Sequence, residues 1–225
     1  MTRRFDLVIL DWDGTLVDSI DRIVQSIWQA ADSQGLPRRE EQAIRDIIGL
    51  AMPEATRVLY PQLGDAGQIA AFQQCYAGHY LASEADLPPF YPGVLDTLAQ
   101  LQARGYRLAV ATGKSRRGLD RIMAGHGCAG LFASTRCADE TASKPDPRML
   151  HEILAECGVT KDRAVMVGDS VFDLQMASRA GMAGVGVSYG AQPARILAGQ
   201  PNSLMIDHFA QLAAWLAEPW GTTDD

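Results

Sequence analysis

Two aspartates separated by one residue, Asp11 and Asp13, mark where this chain can do chemistry. They stand in Asp11-Trp12-Asp13-Gly14-Thr15, directly after the apolar run Leu7-Val8-Ile9-Leu10. Carboxylates that close repel one another unless a cation or a proton sits between them, and at strand spacing both can address one hard divalent metal. The same pair can also be solvated turn acids capping the next helix. Three further places turn the pair into a constellation. Thr112-Gly113 follows Leu108-Ala109-Val110-Ala111 and offers a hydroxyl and a backbone N–H to a phosphate oxygen. Lys144, in Lys144-Pro145-Asp146-Pro147, brings a positive charge for a phosphoryl group or a carboxylate. Asp169 and Asp173, four residues apart, follow Ala164-Val165-Met166-Val167. Alone, each is an ordinary turn, surface charge or helix cap; all of them at strand ends is the pattern of an assembled site.

The elements that must position these groups are short apolar runs at 7–10, 108–111, 164–167, 184–187 and, more weakly, 203–206, each bounded by Gly or polar residues. Unbroken apolar runs of this length suit strands buried on both faces of a parallel sheet. Between them, 94–103, 116–125, 148–157 and 174–180 have the amphipathic period of crossover helices. The alternation predicts an α/β fold with a Rossmann-like parallel-sheet core, whose ligands gather outside the carboxyl ends of the strands. One segment breaks the pattern. Residues 17–88 show helical periods only, at 19–33, 39–48, 53–60 and 66–83, and read as an inserted all-α cap domain. Residues 1–16 and 89–225 then form the α/β core. The chain returns through Pro88, Pro89 and Pro92, which with the stretch after Gly14 are the natural hinges. The tail 218–225 reads as frayed.

The 225 residues carry 20 Lys and Arg against 27 Asp and Glu, a formal charge of −7, which lacks the basic footprint of a nucleic-acid binder. The first apolar run is too short for a membrane span or a signal segment, so the expectation is a cytoplasmic protein with no membrane partner. The four cysteines form no CxxC pair and read as reduced thiols.

The residues from Asp11 to Ser19 resemble the first motif of the haloacid-dehalogenase-like hydrolase superfamily, in its phosphoglycolate-phosphatase-like branch, with Trp12 where Phe is more usual. Thr112 matches the second motif, Lys144 the third and Gly168 to Asp173 the fourth; a helical cap after the first motif also belongs to the branch. The resemblance implies that Asp11 is the nucleophile and Asp13 the general acid and base of an aspartyl-phosphate mechanism. It implies Mg²⁺ held by Asp11, the Asp13 carbonyl and Asp169, with Asp173 in support. Thr112, Gly113 and Lys144 would bind the phosphoryl oxygens. The partner is then a small phosphorylated metabolite, phosphoglycolate leading and a phosphosugar or nucleotide next, handled by a monomer or homodimer.

Chemistry weighs against some relatives. Asp13 argues against a dehalogenase, which needs no leaving-group acid. Lysine occurs only at Lys114, Lys144 and Lys161, outside 17–88, which disfavours a cap Schiff base and hence phosphonate hydrolysis. The loop Ile48-Gly49-Leu50-Ala51-Met52-Pro53-Glu54 lacks the basic residue with which a phosphosugar mutase grips a second phosphate, which makes a mutase the minor alternative, open only if Arg45 or Arg57 reaches in. Its apolar Leu50, Ala51 and Met52 also suit a small carboxylate poorly, and either contact substrate or pack cap against core. A receiver domain would share the strand-end aspartate but has no use for the cap or for Asp13. The scattered His79, His126, His151 and His208 read as surface or helix-face residues, and Trp28 and Tyr80 as packing within the cap. Trp215 and Trp220 are candidates to anchor the last helix or a partner subunit.

Overall fold

The computed structural model describes residues 3–82, 87–200 and 203–218. Six strands, β1 (Leu7–Leu10), β2 (Arg107–Thr112), β3 (Ser134–Cys137), β4 (Ala164–Gly168), β5 (Ala183–Val187) and β6 (Ser203–Ile206), form one sheet in the order β3-β2-β1-β4-β5-β6. Every pairing is parallel, with Leu7 level with Arg107 on one side and with Ala164 on the other. The chain fills one side of β1 with β2 and β3, then crosses over to β4. β1 is therefore central, and the crevice beyond its carboxyl end lies at a topological switch point.

Both faces of the sheet are covered, which is why its strands read as unbroken apolar runs. Val8, Leu10, Val165 and Val167 face α5 (Val94–Ala103), α6 (Arg116–Gly125) and α9 (Ala210–Trp215). Leu7, Ile9, Ala164 and Met166 face α7 (Arg148–Cys157) and α8 (Val171–Arg179). β3 escapes the sequence reading: as an edge strand, Ser-Thr-Arg-Cys needs no apolar run, and Arg136 is half-buried in ion pairs with Glu152 and Glu156 of α7.

Between β1 and α5 lie α1 (Ile20–Ser33), α2 (Glu41–Arg45), α3 (Met52–Leu59) and α4 (Ala66–Ala82). They gather around an apolar cluster of their own. On α1, Ile20, Ile23, Val24, Ile27, Ala30 and Ala31 repeat at the spacing of one helical face and are all buried. The predicted helix over 39–48 is shorter, since turns replace it after Arg45. The two connections between these helices and the sheet are bonded to each other: Asp18 N–H donates to Pro89 O (2.8 Å) and Tyr91 N–H to Leu16 O (3.0 Å). Trp215 packs on Phe5 with ring centroids 5.5 Å apart, while Trp220 and most of the tail lie outside the described residues.

Trp12 holds the loop after β1 in place. It is fully buried, edge-on to Phe90 (6.2 Å) and Phe132 (6.0 Å), and its indole N–H meets no hydrogen-bond partner among the described residues. Trp12→Ala should cost about 3–5 kcal/mol in urea unfolding. Trp12→Phe loses volume but removes the unsatisfied N–H, and should stay within about 1 kcal/mol of the parent.

Candidate active site

Four loops leave the same edge of the sheet and converge. Asp11 directly follows β1, Thr112 ends β2, Lys144 comes from the segment between β3 and α7, Asp169 directly follows β4, and Asp173 sits in the first turn of α8. The Lys144 ammonium is buried between two carboxylates, with Nζ 2.7 Å from Asp11 Oδ1 and 2.7 Å from Asp173 Oδ1. Asp173 is pinned through Oδ2, which accepts from Ser170 N–H (3.1 Å) and Ser170 Oγ (2.6 Å) in a capping box. Asp169 accepts from Thr15 Oγ1 (3.1 Å) and from the Ala191 N–H (2.7 Å). Gly14, at φ 77°, lets the loop after β1 pass over Asp169: a Cβ there would lie 2.1 Å from Asp169 Oδ2.

This well is short of positive charge. Asp11, Asp169 and Asp173 are buried with oxygens within 4.8 Å of one another, and Lys144 is the ammonium among them. Burial drives the Asp11 carboxyl well above its ordinary range, Lys144 only partly opposes this, and Asp173 and Asp169 add to it. Burial and the neighbouring Asp173 push Asp169 up to about 7, against the Ala191 N–H, Lys144 and Thr15. Burial would depress the Lys144 ammonium, but Asp11 and Asp173 override it and raise its pKa. Asp11 Oδ2 accepts no hydrogen bond among the described residues. Hard oxygen donors, crowded negative charge and an orphaned carboxylate oxygen fit a divalent cation.

Asp13 turns the other way. Its carboxylate accepts from Lys114 Nζ at both oxygens (2.8 and 2.9 Å) and from Ser19 Oγ (2.6 Å). Its side chain therefore does not share a cation with that of Asp11, and any Asp13 ligand to a metal is its backbone carbonyl. Lys114 is also 3.4 Å from the hydroxyl of Tyr80 on α4 and 4.9 Å from its ring centroid. Burial alone would lower the Lys114 pKa, but Asp13, Tyr80 and Tyr76 raise it. Sequence reasoning missed both residues. The available signal for Lys114 was its place two residues past Thr112; Tyr80, read only as packing, gave none.

Thr112 Oγ1 accepts from the Lys114 N–H (3.2 Å), which leaves its hydroxyl proton for another acceptor. Gly113 lies against the loop after α2: a Cβ there would sit 2.6 Å from Gly49 O and 2.7 Å from Leu50 O. The same loop reaches the sheet side through the Ala51 N–H, which donates to Ser143 Oγ (2.9 Å), and Asp46 O, which accepts from Gln192 (3.1 Å). Ala51 is thus buried in the contact between the helical segment and the sheet, whereas Leu50 and Met52 line a cavity of about 310 Å³ that opens beside Asp11, Asp13 and Thr112.

A parallel α/β sheet with an acid-rich well at its switch point defines a class of enzyme cores, and comparison with known proteins narrows it. The profile of the haloacid dehalogenase-like hydrolases matches residues 8–187, from β1 to the end of β5, and the chain belongs to that family. It is 34% identical over 212 residues to a Dickeya dadantii protein named "Probable phosphatase IndB", covering 92% of this chain and 91% of that one. It is 32% identical over 220 residues to a phosphoglycolate phosphatase of Rhodospirillum rubrum, covering 94% and 91%. The crystal structure of a predicted phosphoglycolate phosphatase from Haemophilus somnus superposes with a TM-score of 0.81 at 27% identity, over 96% of this chain and 99% of that one.

The charge crowding gives a stability prediction with a definite sign. An acid whose pKa is raised on folding takes up a proton, so its ionised form opposes folding above the unfolded pKa. Asp11→Asn should therefore raise the Tm of the metal-free protein at pH 7 by at least about 2 °C, what roughly 1 kcal/mol does in a domain of this size. The gain should shrink as the pH falls and vanish below about 3, where Asp11 of the parent is protonated in the unfolded state as well.

Proposed function

We propose that the protein is a Mg²⁺-dependent phosphomonoesterase that hydrolyses a small phosphorylated metabolite through a phosphoryl group carried on Asp11. The observation that supports this reading most strongly is Asp11 itself: a buried carboxylate with one oxygen at Lys144 and the other without a partner among the described residues. The Asp11 and Asp169 carboxylates and the Asp13 carbonyl would hold the cation. When bound, it would neutralise charge between the Asp11 carboxylate and an incoming phosphoryl group.

In the first step an Asp11 oxygen forms a bond to phosphorus, the bond from phosphorus to the ester oxygen breaks, and the leaving alcohol takes a proton from Asp13. In the second, water attacks the same phosphorus, Asp13 takes the water proton, and phosphate departs from a regenerated Asp11. Lys114 Nζ holds the Asp13 carboxylate at both oxygens and so fixes it beside the reacting group. The Thr112 hydroxyl, the Gly113 N–H and Lys144 stabilise the phosphoryl oxygens as charge develops on them. Asp173 acts through Lys144, which it holds at 2.7 Å. Residues 17–88 serve as a cap domain over the core of 1–16 and 89–225, excluding bulk water from the acyl phosphate. A cytoplasmic location, as monomer or homodimer, belongs to the same reading.

Support for phosphoglycolate as substrate comes from the names of relatives. The test is inorganic phosphate release with Mg²⁺ across phosphoglycolate, phosphosugars and mononucleotides. Asp11→Asn should lower release by about 10³-fold or more, as loss of a covalent nucleophile does. Chelation of the metal should lower it likewise. Release unaffected by the substitution contradicts the covalent route, and release unaffected by chelator contradicts the metal.

A further inference from the structure

The walls of the cavity beside Asp11 speak to what the phosphoryl group is attached to. Away from Asp11, Asp13 and Thr112 the lining is mostly apolar and aromatic, with Ile48, Leu50 and Met52 from the loop and Tyr76 and Tyr80 from α4, and Gln73 and Ser115 as its neutral polar side chains. The two tyrosine rings lie 5.8 Å apart, tilted by 40°. The space, about 310 Å³, is at the lower end of cavities that enclose ring-bearing ligands, about 300–1,000 Å³, and a two-carbon ester would leave most of it to water.

Charge argues the same way. Among the described residues that line the cavity, Lys114, Arg117 and Arg121 are the cations. Lys114 already serves both oxygens of Asp13, and Arg117 and Arg121 are exposed at the rim. A carboxylate held two carbons from the phosphorus would have to compete with Asp13 for Lys114 or reach out to the exposed Arg117 and Arg121, and an ionised group desolvated among apolar side chains binds poorly. A flat neutral ring meets the opposite conditions: it buries apolar area and stacks on Tyr76 or Tyr80.

We infer that the preferred substrates are phosphate monoesters whose alcohol carries a flat, uncharged ring, seated against Tyr76 and Tyr80 of α4 and Leu50 and Met52 of the adjoining loop. This rests on the phosphomonoesterase reading and selects within it. Phosphoglycolate, which has no ring for the apolar wall and whose carboxylate finds Lys114 already bonded to Asp13, is a poor substrate.

Benzyl phosphate and phosphoglycolate make a matched pair, because both release phosphate from a –CH₂–O– group and differ in carrying a phenyl ring or a carboxylate. Phosphate release by the full chain with Mg²⁺ should give kcat/KM for benzyl phosphate above that for phosphoglycolate by about 100-fold or more, the discrimination a mismatched buried polar group imposes. Tyr76→Ala should shrink that ratio by about 10-fold, chiefly through KM for benzyl phosphate, and Tyr76→Phe, which keeps the ring, should preserve it. A far-UV CD melt of each variant separates loss of the wall from loss of the fold. Equal turnover or a preference for phosphoglycolate overturns the inference and leaves the phosphomonoesterase standing. A ratio that Tyr76→Ala, still folded, does not change overturns the assignment of the wall. No Asp11-dependent release from either ester, nor from phosphosugars and mononucleotides, overturns the phosphomonoesterase reading, and the inference with it.

Discussion

A buried ammonium between two buried carboxylates is the constraint around which this molecule is organised. Lys144 touches Asp11 at the end of β1 and Asp173 at the start of α8, so it ties the loop after β3 to the two strands at the centre of the sheet. Burial pushes Asp11 towards its neutral form even with the lysine beside it, and the lysine holds its proton because the carboxylates offset its own burial. A third buried acid, Asp169, leaves the group with more negative than positive charge. Such an arrangement is poor as a stability device, since replacing a buried charge cluster with apolar groups is commonly neutral or better. It makes sense as a place that receives a cation and an anion together, which is the use the proposed chemistry gives it.

A second constraint is the close approach of the loop after α2 to the turn after β2. Gly113 can only be glycine while the Gly49 and Leu50 carbonyls stand where they do. That contact, with the hydrogen bonds from Ala51 to Ser143 and from Gln192 to Asp46, lays the helical segment across the carboxyl edge of the sheet. The Asp13–Lys114–Tyr80 cluster crosses the same boundary. A residue proposed to move protons is thus positioned by both parts of the chain, and the shape of the helical part reaches the reacting atoms.

Much of this was legible in the sequence. Strands buried on both faces announce themselves as unbroken apolar runs, and β1, β2, β4 and β5 fall within a residue of where those runs stand. Helices α5, α6 and α7 have the predicted bounds, because amphipathic period, Gly and Pro mark their ends. β3 was invisible, since an edge strand closed by ion pairs carries no hydrophobic pattern. The convergence of Asp11, Thr112, Lys144 and Asp169 followed from the rule that parallel strands present their carboxyl ends together. What the sequence did not reveal are contacts between segments far apart in the chain. Lys114 meets Asp13 across 101 positions, and Tyr80 meets Lys114 across 34. No local pattern encodes such pairs. Whether Leu50, Ala51 and Met52 pack or face a ligand was likewise decided only by the fold, which buries Ala51 and turns the other two to the cavity.

The central claim is that Asp11 carries the phosphoryl group between the ester and water. The most direct test is to quench the Mg²⁺-loaded protein in acid during turnover of a ring-bearing phosphate ester and to map the phosphorylated peptide by mass spectrometry. The account predicts a phosphoryl group on the peptide containing Asp11, labile to hydroxylamine as an acyl phosphate must be and absent from the Asp11→Asn protein. A phosphoryl group on any other residue, or rapid turnover in which no acyl phosphate accumulates or can be trapped at any quench time, would contradict it.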